Sequence, residues 1–465
     1  MPVIAPLSAT AATSGLSASG TLAAPLPTKA RLVPAFSEES DAARWNEVQK
    51  LLKLDFESHH VEVLNKHTKE YQPNYAVHAL LSLYKVNASE SILRERYELE
   101  SKMLDPVGPS AVKISDSNWK EHLGKGQSVY GDFTTFFLAQ IQETGIKTTV
   151  SKYIPDLIAG LGGDCFHPLL HLGLGLEFQQ PLVVAQGLAY WAYTFAPIVK
   201  SLPAIVGDDD TANVLEILQD VREDTRFDPE AIDPKWAAQE FHKRVRKAIN
   251  TKLGDDLAEL VSEWKVEPTQ ASVSRALEEL ADATLLSCAT TSHTFPSQLD
   301  FPLTHTLIAA GSLHTVMDYV SKDTDKVELL RRFLLAFLAL YVSQGRPNLH
   351  ADRLEDIYAD TLEEDGPQLS TSPIGSPTMP TTPQLALREW GILAGAPAHV
   401  DDDIHIMEVV AALKSWEDRY GEKKGIYMKA AKVVRSIVKT GSGDAWEFKG
   451  VGYPPTASFA LEMEE

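Results

Sequence analysis

Apolar residues recur at three- and four-residue steps along most of the chain, and alternation with a period of two is scarce, so helices are predicted nearly throughout. From Asp41, the residues Trp45, Val48, Leu51 and Leu52 make one buried stripe, followed by Val61 and Leu64. Val77, Leu80, Leu81 and Tyr84 mark the apolar face of a helix from about Asn74 through Tyr84, with His78 beside that face. A short segment around Trp119 to Leu123 leads to Tyr130, Phe133, Phe136, Phe137 and Ile141, an aromatic stripe at helical spacing. Leu161 to Val199 is the most apolar stretch; it predicts one or two buried helices and carries His167 and His171 one turn apart. Leu277 to Leu286, Leu303 to Val320 and Val327 to Val342 predict three more helices, the last central. Leu385 to Leu393, His405 to Tyr420 and Tyr427 to Val438 predict the final ones. The expected fold class is all-α, a single large multi-helix domain, and no repeat at a fixed period is present.

Two stretches break the pattern. Residues 1–38, rich in Ala, Ser, Thr and Pro, read as a disordered tail that lacks the layout of a secretory signal. Residues 363–383, with GPQLSTSPIGSPTMPTTP, cannot bury enough apolar surface to order themselves and read as a mobile insertion in a domain spanning 39–465. The charged clusters from Asp208 to about Lys265 read as solvated helices.

Charge narrows the partners. With 64 acidic against 43 basic side chains the formal charge is -21, a surface that repels phosphate backbones and anionic lipids, so neither nucleic acid nor membrane is expected. The stretch from Pro168 to Val199 is interrupted by His171, Glu177, Gln179, Gln180 and Gln186, short of the roughly 18 uninterrupted apolar residues that a span needs. Cys165 and Cys288, the two cysteines, are too few for a disulfide framework or a thiolate zinc site, and a reducing, cytoplasmic location is expected.

Familiar catalytic motifs are missing. Gly160-Leu-Gly162-Gly163 is half a dinucleotide loop without its third glycine or a preceding strand, and there is no phosphate loop, H-E-x-x-H or G-x-S-x-G. The chemistry therefore rests on the 14 histidines. His59, His60, His67, His122, His242, His350 and His399 lie in polar surroundings and read as solvated; His293 and His314 are ambiguous. His78, His167, His305 and His405 lie on or beside apolar helices, where an unpaired imidazole loses hydration and needs a partner. Several such residues in one chain point to a shared partner, and metal is the commonest. In Asp403-Ile-His405-Ile-Met-Glu408 the i, i+3 spacing puts imidazole and carboxylate on one helix face; the same residues also suit a surface helix start with acidic residues at its positive end.

Four blocks resemble the questin-oxidase-like family of fungal polyketide pathways over about residues 40–460. They are His78-Ala-Leu-Leu-Ser-Leu-Tyr84 with Ser89; Phe166-His-Pro-Leu-Leu-His-Leu-Gly173 through Glu177; Leu303-Thr-His305 with Tyr341-Val-Ser-Gln-Gly-Arg-Pro347; and Asp403 through Glu408. Gly450-Val-Gly-Tyr453 is similar to the family's ending. The resemblance implies oxygen-dependent cleavage of an anthraquinone-type ring, formerly described as a Baeyer-Villiger oxidation, at non-haem iron(II) held by histidines and a carboxylated lysine. Carried over, the metal ligands are His78, His167, His305 and His405, with Glu408 where the family has its lysine and His171 standing behind them.

On that reading O2 is co-substrate, a small aromatic polyketide is the substrate, and His171 or Glu177 handles a phenolic proton. NADPH or a separate reductase supplies electrons where they are needed. Trp191, Tyr193, Phe137 and Tyr130 are aromatic candidates for the pocket wall or for ordinary core. Two alternatives stay open: a metal-free or NADPH-dependent Baeyer-Villiger-type oxidase of the same fold, and a non-catalytic protein that binds aromatic polyketides.

Overall fold

The computed structural model describes residues 32, 38–64, 71–205, 212–239, 241–248, 251–291, 298–350, 382–396, 398–438 and 446–453. Most of the expected N-terminal tail and all of the expected insertion except its last two residues lie outside them.

The described residues form an all-α fold of seventeen helices. In chain order these are α1 Glu38–Ser58, α2 Ala76–Lys85, α3 Glu90–Ser101, α4 Tyr130–Thr144, α5 Ile146–Leu157, α6 His167–Glu177, α7 Pro181–Tyr193, α8 Val214–Glu223, α9 Pro229–Ile232, α10 Phe241–Ala248, α11 Lys252–Val261, α12 Gln270–Ala289, α13 Phe301–Met317, α14 Asp323–Ser343, α15 Thr382–Leu393, α16 Ile404–Tyr420 and α17 Ile426–Ile437. Four short strands complete the set: β1 Glu62–Leu64 pairs antiparallel with β2 Tyr71–Pro73, and β3 Leu299–Asp300 pairs in parallel with β4 Trp446–Glu447. No helix among the described residues is long and apolar enough to cross a membrane.

The helices that carry the candidate site pack on one another in series: α2 on α6, α6 on α7 and α13, and α13 on α12 and α16. Close approach of α6 to α13 depends on Gly173, where a Cβ would stand 2.5 Å from Cβ of Ser312. α14 is buried from Leu329 to Ser343, as its Leu- and Phe-rich sequence predicts. The chain stretch read as solvated helices is partly interior: Trp236 and Arg244 are fully buried, and Arg244 donates at 2.6 Å to the Ser343 carbonyl at the end of α14.

The helix starts matter for the site. Asp300 caps α13, accepting the Leu303 N–H at 2.9 Å, and Pro302 sits where a missing N–H costs nothing. Asp403 caps α16, accepting the His405 N–H at 2.8 Å. Just before α2, Asn74 accepts the Ala76 N–H at 2.9 Å while its own amide donates to the buried Asp55 at 2.9 Å.

Candidate active site

Four helices, α2, α6, α13 and α16, bring His78, His167, His171, His305, His405 and Glu408 into one buried region. Ring centroids are 4.8 Å apart for His167 and His305, 5.1 Å for His305 and His405, and 5.4 Å for His78 and His171. Glu408 Oε1 lies 2.9 Å from Nδ1 of His78. All six are buried except His405, whose side chain is 12% exposed.

The His167 ring is set by an unusual turn. Asp164 (φ 46°), Cys165 (φ 49°) and Phe166 (φ 71°) are three consecutive non-glycine residues in the left-handed region, at a cost of about 1–2 kcal/mol each. The turn aims the Asp164 carbonyl at His167, whose Nδ1–H donates to it at 2.8 Å. Its Nε2 then carries the lone pair, and the Tyr75 hydroxyl donates to it at 3.1 Å. The turn is held from behind: the Asp164 carboxylate accepts the Tyr190 hydroxyl, and Tyr193 donates to the neighbouring Glu62. Burial, then the Asp164 charge, pushes the Glu62 carboxyl well up.

The other rings follow the same logic. His405 Nδ1–H donates to Asp403 Oδ1 at 3.0 Å, leaving Nε2 with its lone pair buried and, among the described residues, unpartnered. Both ring nitrogens of His305 and Nδ1 of His171 are likewise unpartnered among the described residues. His171 Nε2 reaches Gln186 Oε1 at 3.4 Å, and Gln186 is tied to Asp55 at 3.1 Å.

Burial, followed by the fields of neighbouring imidazoles, lowers His305 well below the usual histidine range; burial and the charge of His78 take His171 down to about 3. Burial also lowers His167. At neutral pH these rings are uncharged, the form that binds metal. Burial pushes the Glu408 carboxyl up, but the charge and hydrogen bond of His78, with His405 and Lys85, outweigh it and hold the group below its usual value.

Neutral buried imidazoles with free lone pairs and one ionised carboxylate have the donor chemistry of a first-row transition-metal site, with Asp403 and the Asp164 carbonyl orienting two of the rings from behind. In the structure the donors satisfy one another: Glu408 takes His78 and Tyr75 takes His167. Among the described residues no three His, Cys, Asp or Glu side chains close around one point as metal ligands do.

Some expected residues fall elsewhere. Glu177 is exposed at the C-terminal end of α6 and pairs with the buried Lys85 at 2.8 Å; six residues beyond His171, it turns to another helix face. Phe137 packs with Trp119, Phe133, Phe136 and Tyr153. His60 is buried rather than solvated because Tyr130 and Tyr193 pack against its ring. His314 is buried too, between the Ala310 carbonyl and the Tyr420 hydroxyl. His67 and His293 lie outside the described residues, as does the side chain of His242.

The rings that do meet the histidines are Tyr75, edge-on to His78, His167 and His405, and Phe301, 4.5 Å from His305 and 4.8 Å from His405. A local signal existed for both: Tyr75 precedes His78 by three residues and Phe301 precedes His305 by four, the steps that align side chains on a helix. A small apolar recess lined by Gly162, Cys165, Phe166, Ala336, Ala339 and Leu340 among others adjoins the strained turn.

Comparison with known proteins gives the same direction. Oxidoreductase AflY of Aspergillus parasiticus is 27% identical over 318 residues, 64% of this chain and 62% of that protein, so the chain spans less than two thirds of that relative. Baeyer-Villiger monooxygenase AacuH of Aspergillus aculeatus is 24% identical over 439 residues, 80% of this chain and 85% of that one. A questin oxidase of Aspergillus terreus is 22% identical over 413 residues, 84% and 82% of the two chains. The profile described as Questin oxidase-like matches residues 73–413, from just before Tyr75 to just beyond Glu408, and the chain belongs to the questin oxidase-like family.

Proposed function

We propose that this chain is an oxidoreductase of secondary metabolism, an oxygenase that cleaves the ring of an anthraquinone-type polyketide with O2. The observation that carries the reading is the meeting of four histidines from four helices, with ring nitrogens left unpartnered among the described residues, inside the segment that matches the family. An unsatisfied buried polar group costs about 1–3 kcal/mol, and a fold that keeps several together has a use for them.

His78, His167, His305, His405 and Glu408 would hold a non-haem iron(II) ion. When bound, that ion supplies one-electron chemistry toward O2, which closed-shell organic substrates do not undergo unaided. The chain's own part is positional. Asp403 and the Asp164 carbonyl fix two rings with Nε2 facing inward, and Tyr75 and Phe301 shield the region from water. His171, whose Nδ1 is unpartnered among the described residues, would accept a hydrogen bond from a phenolic hydroxyl of the substrate, its lowered basicity keeping the ring neutral. Glu177, exposed and paired with Lys85, drops out of that role.

A second reading is favoured by the names of several relatives: a Baeyer-Villiger-type insertion, in which one oxygen atom enters the ring and the other leaves as water with two electrons from NADPH or a separate reductase. Turnover of a polyhydroxyanthraquinone under 18O2 separates the two. Two labelled atoms in the product support ring dioxygenation; one, with stoichiometric NADPH use, supports insertion. Protein purified without oxygen is expected to retain about one iron per chain. A fully active preparation with iron far below that ratio overturns the metal reading.

A further inference from the structure

The C-terminal segment Trp446–Tyr453 crosses the starts of two histidine-bearing helices. β4 pairs with β3 directly before α13, and the Val451 N–H donates at 3.2 Å to Asp300, the residue that caps the His305 helix. At the other helix, the Trp446 indole N–H donates at 2.8 Å to Asp403 Oδ2, while Asp403 Oδ1 accepts both the backbone N–H and the Nδ1–H of His405. Phe448 packs at 4.7 Å on Phe301, the ring that touches His305 and His405.

The segment is fastened to the core. The Gly452 N–H donates to the Gln344 carbonyl at 3.0 Å, and a Cβ on Gly452 would stand 2.4 Å from the Gly345 oxygen. Fully buried Arg244 grips the Lys449 carbonyl at 2.5 Å and lies 5.0 Å over the Tyr453 ring.

We propose that this strap positions the histidine cluster, and that Trp446 is a positioning residue for His405, acting through Asp403. The inference rests on the metal reading above for its purpose, though not for its geometry. Asp403 has two oxygens; one holds the His405 ring, and the other is held by the indole. Burial alone does not demand this contact, because Trp191 and Trp416 are more deeply buried and their indole N–H groups have no partner among the described residues. With the indole donor removed, the carboxylate is free to rotate about its side-chain bonds and His405 loses its single ring orientation.

The test uses the full-length chain and Trp446→Phe, which keeps an aromatic ring against Phe301 and removes the donor. In metal-free protein labelled with 15N-histidine, His405 in the native chain is expected as one Nδ1–H tautomer. The variant is expected to show a mixture at His405 with His314 unchanged. Titration with Co(II), read from its visible absorption, is expected to show affinity about 10–100-fold weaker in the variant, with altered bands. An unchanged His405 tautomer overturns the strap proposal whatever the metal result. If the native chain takes up no Co(II) but the tautomer moves, the metal reading fails and the strap's positioning role stands.

Discussion

Glu408 Oε1 accepts a 2.9 Å hydrogen bond from Nδ1 of His78, across 330 positions of sequence. The contact ties α16 to α2 inside the protein and brings a carboxylate in among the imidazoles. It also orients the His78 ring, with Nδ1 toward Glu408.

Glu408→Gln keeps the size of the side chain and an oxygen for the His78 N–H, and removes the charge. Metal affinity is expected to fall about 10–100-fold and turnover with it, while the fold survives. Glu408→Ala leaves the His78 donor unpaired and is expected to cost about 1–3 kcal/mol of stability in addition. Equilibrium urea unfolding separates the two effects: metal-binding loss without a stability loss in Glu408→Gln is the expected signature, and native metal uptake by that variant removes Glu408 from the ligand set.

The strained turn before His167 makes its own prediction. Cys165 lies at φ 49° between two other left-handed residues. Glycine adopts that conformation without steric cost but gives up about 0.5–1 kcal/mol to the entropy of the unfolded chain. Cys165→Gly is therefore expected to unfold at nearly the native urea concentration, whereas Cys165→Val, β-branched, is expected to lose about 1–3 kcal/mol. Equal losses in both would mean that packing of the thiol, and not backbone conformation, governs this position.

These residues show where sequence reading succeeds and stops. The helices were legible because each buries an apolar stripe with a 3.6-residue period, and His78, His167, His305 and His405 stood out because they interrupt or flank such stripes. Asp164 to Phe166 gave no warning, since no local preference drives three non-glycine residues into left-handed geometry; contacts from Tyr190 impose it. β3 and β4 are two residues each, too short to carry any alternation, so the route from Trp446 to His405 was invisible. The polar neighbours Ser58, His59 and Glu62 make His60 read as solvated, whereas Tyr130 and Tyr193, distant in sequence, enclose it. Glu177 belonged to a family-like block, and only the helix phase shows that it faces outward.

Protonation of His314 predicts a pH dependence. Its Nδ1–H donates to the Ala310 carbonyl at 2.7 Å and its Nε2 accepts from the Tyr420 hydroxyl at 2.6 Å, so the folded protein holds a neutral ring. Burial, only partly offset by the Ala310 contact and reinforced by the Arg419 charge, takes its pKa down to about 4. The unfolded chain takes up the proton near pH 6.5 and the folded chain does not, so stability falls as pH drops from about 6.5 toward 4 and is level above that. Over that window the loss is on the order of 3 kcal/mol. His305 and His171 add slopes of the same sign, so the informative quantity is the difference between native protein and His314→Gln. That difference is expected to appear only below about pH 6.5; a difference that is constant across pH would assign His314 a packing role alone.

His305 offers a sharper separation of stability from function. Neither ring nitrogen has a partner among the described residues, and the ring is enclosed by Phe301, His167 and His405. Replacing an unsatisfied buried imidazole by an apolar side chain of similar volume removes a desolvation penalty of about 1–3 kcal/mol. His305→Leu is therefore expected to raise the urea midpoint of the metal-free protein while abolishing the proposed ring cleavage and weakening metal uptake. A histidine kept for the fold behaves in the opposite way, losing stability on substitution and leaving turnover per folded molecule intact. A gain in stability bought with complete loss of activity is what a ligand residue held in reserve inside an apolar core must show, because its polar atoms serve a partner that the protein chain does not itself provide.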